Sequence, residues 1–281
     1  MDKFQKLIEK KKQDLSKKNS KQMNTDKSDL YYSDKEAVEK IYQILLSNAN
    51  IPSEYKECSF SSFNHDFIPE NAPKVKALKE FALNYNEYFR ETNSPQSVLL
   101  YSENNGVGKT HTAVATGKLL LYEYAKSIFN KNPYQYRRRG IIADSIKYKT
   151  PVFFMSEKKY IWCRKRFTSK NTNILNYVEE CEKAFTKSEF IIYDDLFRAR
   201  DTDFYFDELE GIIDMRYDSQ KPMIFTTNVN IKTIDQMDTQ VNPFIDKIKQ
   251  GSYLLSRLEK MTKGYQFKFE GDKDYRKSGL Y

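Results

Sequence analysis

One pentapeptide restricts this chain more than any other feature. Gly106-Val107-Gly108-Lys109-Thr110 follows the apolar run Ser97-Val98-Leu99-Leu100-Tyr101 and precedes a long stretch of helical periodicity. Strand, glycine-rich turn and helix in that order form a phosphate cradle. Its glycines let backbone N–H groups converge on β- and γ-phosphates, and the helix N-terminus adds partial positive charge. Lys109 is placed to reach those phosphates, and the Thr110 hydroxyl to hold Mg²⁺. Asn105, Gly106, Val107, Gly108 and His111 complete the expected binding set for ATP. Glu103 stands six residues before the lysine, where such loops ordinarily begin with glycine, but the glycines nearest the phosphates are kept.

The 281 residues allow one sizeable domain with an appendage. A formal charge of +8, from 47 basic against 39 acidic side chains, is compatible with an anionic partner. Cys58, Cys163 and Cys181 are odd in number and widely spaced, so neither a metal-ligand pair nor a disulfide framework is expected. That usage fits a reducing compartment, and a cytoplasmic protein is the expectation. No apolar stretch approaches the roughly 18 residues of a membrane span, and no signal-peptide pattern opens the chain.

Residues 1 to about 30 are polar and lysine-rich, a mobile arm or a helix awaiting a partner. Ser33-Asp34-Lys35-Glu36 is a capping box, and Val38, Ile41, Tyr42, Leu45 and Leu46 give the following helix an apolar face. Residues 1–50 hold too little apolar content for a core and read as a helical or flexible docking region. Residues 51–281 alternate strands and helices, as in a parallel α/β sheet. Helices are expected over 73–91, after the cradle, over the stretch carrying Lys158, Lys159, Arg164, Lys165 and Arg166, over 174–185 and 203–218, and over 243–261. Strands are expected at 97–101, 151–155, 190–193, 223–227 and 265–269.

Phe190-Ile191-Ile192-Tyr193-Asp194-Asp195 is a buried strand ending in two carboxylates, expected beside the strand that feeds the cradle. Asp194 then helps hold hydrated Mg²⁺, and Asp195 orients or deprotonates the attacking water. Met223-Ile224-Phe225-Thr226-Thr227-Asn228 ends in an amide suited to sensing a γ-phosphate or that water. Two basic stretches, 134–139 and 158–167, carry aromatics including Tyr160, Trp162 and Phe167. They offer the residue types that single-stranded DNA binding uses, although solvated faces with core aromatics look the same in sequence.

Gly106 to Ala113, Tyr193-Asp194-Asp195-Leu196 and Thr226-Thr227-Asn228 together resemble the DnaC/DnaI helicase-loader branch of the AAA+ ATPases, and the related IstB-type transposition ATPases. Ile51 to Tyr55, Cys58-Ser59-Phe60, Phe63, Gly211 to Tyr217, Ser256-Arg257-Leu258 and Asp274-Tyr275-Arg276 extend the likeness over residues 51 to 281. The resemblance implies an AAA+ P-loop fold with a five-stranded parallel sheet behind a small helical N-terminal region. It implies an ATPase that loads a ring-shaped replicative helicase onto single-stranded DNA and self-associates through AAA+ interfaces. By the same resemblance Arg257 is an arginine finger for a neighbour's ATP, and Arg276 a sensor-2-like contact within its own subunit. With no cysteine in the first 50 residues, the zinc-bearing N-terminal domain of DnaI-type loaders is not expected. A DNA-binding transposition ATPase and a nucleotide-gated adaptor with little hydrolysis are the alternatives.

Overall fold

The computed structural model describes residues 31–88, 95–138, 141–168, 170–198, 203–231 and 252–275. They fall into two compact units, residues 31–44 with 125–147 and residues 45–124 with 148–275, and the boundaries at 44 and 124 lie inside helices.

The smaller unit is helical. Its first helix, α1 (Asp34–Ser47), starts at the capping box. Glu36 accepts from the Ser33 N–H at 2.8 Å, and Ser33 Oγ accepts from the Glu36 N–H at 3.3 Å. Asp34 also takes a two-pronged ion pair from Arg137, at 2.5 and 3.0 Å. Arg137 closes the short helix α4 (Pro133–Arg137), which Asn132 caps by accepting from the Gln135 N–H. Between them in sequence runs the cradle helix α3 (Lys109–Lys131), and α5 (Ile141–Ile146) follows.

The larger unit contains α3 up to residue 124, the remaining helices and a sheet of five parallel strands. β1 is Val98–Tyr101, β2 Val152–Ser156, β3 Phe190–Leu196, β4 Met223–Thr227 and β5 Gln266–Lys268. Their order across the sheet is β2-β3-β4-β1-β5. All five residues of β4 are buried. Since successive side chains point to opposite faces, both faces of the sheet are covered, which is why these strands read as unbroken apolar runs. The helices of this unit are α2 (Ala72–Tyr88), α6 (Glu157–Arg164), α7 (Thr172–Lys187), α8 (Asp203–Asp218) and α9 (Ser252–Met261). The part of the predicted 243–261 helix before residue 252 lies outside the described residues.

One expectation is corrected. The acidic strand β3 does not run beside β1: β4 lies between them, pairing Leu100 with Thr226 on one side and Ile192 with Ile224 on the other. Strand order in the sheet does not follow strand order in the chain, and the inserted strand brings its own polar terminus to the site.

Arg216 on α8 fixes the opposite end of the sheet. It is fully buried and donates to the carbonyls of Phe185, Ser188, Glu189 and Pro222, at 2.6 to 3.2 Å. Burial lowers its pKa. The guanidinium lies at the C-terminal end of α7, where the helix dipole favours a cation.

Candidate nucleotide site

The cradle is built as the motif requires. β1 ends at Tyr101, α3 begins at Lys109, and Gly106 and Gly108 between them have φ of +71° and +98°. Only glycine holds such angles without strain. Neither glycine has room for a side chain, because a Cβ at Gly108 would meet the Phe63 ring at 2.7 Å and one at Gly106 would run into Asp274.

The walls of the loop come from distant parts of the chain. Fully buried Asn71 donates to the carbonyls of Val107 and Glu270 and accepts from the Glu270 N–H. Tyr275 donates its N–H to the Gly106 carbonyl at 3.0 Å, and Asn104 donates to the Gly271 carbonyl at 2.7 Å. Sequence reasoning missed Asn71, whose position carries no motif signal. It named Phe63 only within the family likeness.

Lys109, only 7% exposed, donates to the carbonyls of Asn104 at 2.8 Å and Ser102 at 3.4 Å. Thr110 Oγ1 donates to Asp194 Oδ1 at 2.8 Å, so the two residues expected at the metal meet directly across 84 positions of sequence. Asp194 is 5% exposed and takes a second bond, at 2.7 Å, from the Thr226 hydroxyl. Burial pushes its carboxyl up to about 6, and the neighbouring Asp195 adds to the rise; the bonds from Thr226 and Thr110, together with Lys109, oppose it.

Asp195 sits in a bulge. Tyr193 pairs with Phe225 and Leu196 with Thr227, so Asp194 and Asp195 together face the single residue Thr226. Asp195 takes the left-handed conformation, φ +63°, as does Phe197 at +68°. The Thr226 hydroxyl accepts from the Asp195 N–H at 2.9 Å while donating to Asp194. One hydroxyl thus positions both acids, a role that the pattern Thr-Thr-Asn did not disclose. Asn228 donates to Asn105 Oδ1 at 2.9 Å, joining the strand-end amide to the cradle loop.

Other expected site residues stand elsewhere. The His111 ring lies 2.9 Å from the Ser59 carbonyl and edge-on to Phe63, and burial lowers its pKa. Its side chain therefore belongs to the lead-in segment, and the backbone N–H is its available donor. Arg257 on α9 is ion-paired with Asp214 on α8 at 2.5 Å. Arg276 lies outside the described residues. In the two basic stretches, Arg137 is committed to Asp34, and Tyr160 is buried with its hydroxyl on Glu208. Trp162 is 48% exposed with the Arg166 guanidinium 4.3 Å from its ring centre.

The residues fit a nucleotide with Mg²⁺: a loop of glycines that admits no Cβ, a buried lysine, and a buried carboxylate held by the first-turn threonine. Among the described residues there is no cluster of three or more His, Cys, Asp or Glu side chains suited to a metal. A Mg²⁺ held by one carboxylate, one hydroxyl and phosphate oxygens needs none. No described helix is long and apolar enough to cross a membrane.

No family model matches the chain, and no curated protein does. Among solved structures, a candidate primosome component from Streptococcus pyogenes serotype M3 is similar over 81% of this chain and 96% of its own, at 16% identity and a TM-score of 0.52. The structure of DnaI is similar over 80% and 94%, at 15% identity and 0.49. That of the DnaC helicase loader is similar over 78% and 100%, at 20% identity and 0.48. Sheet order, cradle and the likeness to the S. pyogenes structure agree on one architecture: this chain has a P-loop α/β fold built on a five-stranded parallel sheet.

Proposed function

We propose that this protein is an ATP-dependent loader that delivers a ring-shaped replicative helicase onto single-stranded DNA when replication starts. The observation that carries the ATP part is the meeting of Thr110 with Asp194 beside Lys109. The fold shared with a candidate primosome component supports the replication part.

Backbone N–H groups of residues 105–111 would hold the phosphates, with the Lys109 ammonium turned from the loop carbonyls towards them. Thr110 and Asp194 would hold Mg²⁺, which when bound offsets charge on the β- and γ-phosphates. Asp195 would accept a proton from the attacking water, and Asn228 would orient that water. Arg257 would leave Asp214 to reach a neighbouring subunit's γ-phosphate, and Arg276 would contact phosphates within its own subunit. The exposed Trp162–Arg166 pair supports base stacking by single-stranded DNA.

Residues 1–50 would dock the helicase, with residues 51–281 as the ATPase. Ala49 and Asn50 are hydrogen-bonded to Phe154 of β2, so a truncation that tests docking should leave them in place. The test is capture of a hexameric replicative helicase by the full chain, with and without ATP, and by a chain lacking residues 1–30. ATP-dependent capture that needs those residues is expected. Equal capture by both chains would reject a docking role for residues 1–30, and capture of a transposase instead would favour the transposition ATPase.

A further inference from the structure

Glu157 is fully buried, yet no role at the nucleotide site has been given to it. It is the first residue of α6, immediately after Ser156, which pairs with Asp194 in the sheet. Three of the hydrogen bonds its carboxylate accepts come from the segment after β3 and from α8. Oε2 accepts from the Phe197 N–H at 3.1 Å and the Tyr205 hydroxyl at 2.9 Å, and Oε1 accepts from the Arg198 N–H at 2.8 Å. Phe197 and Arg198 complete the turn that begins at Asp195: Arg198 donates its N–H to the Asp195 carbonyl at 2.9 Å, and Asp195 and Phe197 are both left-handed.

A bulky residue such as Phe adopts that conformation only when its surroundings impose it. Here the imposing group is a buried carboxyl group that accepts from two successive backbone N–H groups, reinforced by a tyrosine on α8.

We infer that Glu157 is a positioning residue for ATP hydrolysis: it locks the 195–198 turn and so sets where the Asp195 carboxylate points. This rests on the proposed role of Asp195. Glu157 touches neither the cradle loop nor Asp194 through any bond described above, so its loss should alter turnover and not nucleotide affinity.

The experiment compares full-length Glu157→Ala, Glu157→Gln, Tyr205→Phe and Asp195→Asn chains. Steady-state ATP turnover, affinity for a fluorescent ATP analogue, and amide hydrogen exchange across residues 195–198 are measured for each. Glu157→Ala should lower kcat about tenfold or more, with KM and analogue affinity within about twofold of the parent chain. Glu157→Gln should fall between, since an amide presents a donor to one of the two N–H groups, and Tyr205→Phe should have the smallest effect. Exchange at Phe197 and Arg198 should quicken in the same order.

Parental kcat or parental exchange in Glu157→Gln and Glu157→Ala, with Asp195→Asn inactive, would overturn the inference. So would a parallel loss of affinity and turnover, which marks a merely structural residue. If Glu157→Ala does not fold, the graded order of the Gln and Tyr205→Phe chains decides. Undiminished turnover in Asp195→Asn would instead overturn the reading of Asp195 itself.

Discussion

Two turns face the site, and they hold left-handed backbone by opposite means. The cradle loop uses Gly106 and Gly108, for which positive φ is costless. The bulge and turn at the end of β3 use Asp195 and Phe197, for which it is not, and bonds to Thr226 and Glu157 hold them. Composition shapes the first turn and tertiary contact the second. Substitutions in the cradle should therefore act on binding, and substitutions around the bulge on catalysis.

The sharpest test lies in the cradle. Gly108→Ala would strain φ and push a methyl into Phe63, so nucleotide affinity measured by calorimetry should fall about 100-fold or more. Parental affinity would mean that the loop tolerates what the bulge tolerates. Next is Thr226→Val, which keeps the shape but deletes the hydroxyl serving both acids. Turnover should fall about tenfold, with affinity within about threefold. A loss of affinity alone would erase the contrast.

Asp194→Asn probes stability. Burial holds this carboxyl near 6 in the folded chain, above its ordinary value near 4. The folded state therefore keeps a proton that the unfolded state has lost, and stability should decline as pH rises from about 4 to about 6 and stay level above. An asparagine oxygen can still accept from Thr110 and Thr226. The variant should be more stable by about 2 kcal/mol at pH 7 in denaturant titration, a gain that vanishes near pH 4. The smallest effect concerns Asp195: Ala should cost about 1 kcal/mol where Asn is nearly neutral, because Asn tolerates the left-handed region.

The same contrast explains what could be read in advance. Gly106 to Thr110 specify their turn from within five residues, and the Ser33–Glu36 capping box within four, so both were legible. The helix over 203–218 and the strand over 223–227 were legible from periodicity and apolar runs. The neighbour of β3 was not, because strand order depends on crossovers that local pattern does not encode. Thr226 as the partner of both acids, and Glu157 as the partner of the turn beside them, were invisible because their meaning lies in residues 31 to 41 positions away. Asp194 and Asp195 stood out as acids, but the bulge that separates their directions did not.

The seam between Asn71 and Glu270 has a consequence for synthesis. The two residues are 199 positions apart, and between them they brace the Val107 carbonyl. On a ribosome, the P-loop is made long before its outer wall. A nascent chain released at residue 260 would carry every motif residue of the cradle, but Asn71, which braces Val107, would lack its anchor on Glu270. Competence for nucleotide should thus arrive late and all at once, when the final strand docks, and stalled or clipped chains would be poor competitors for the ligand.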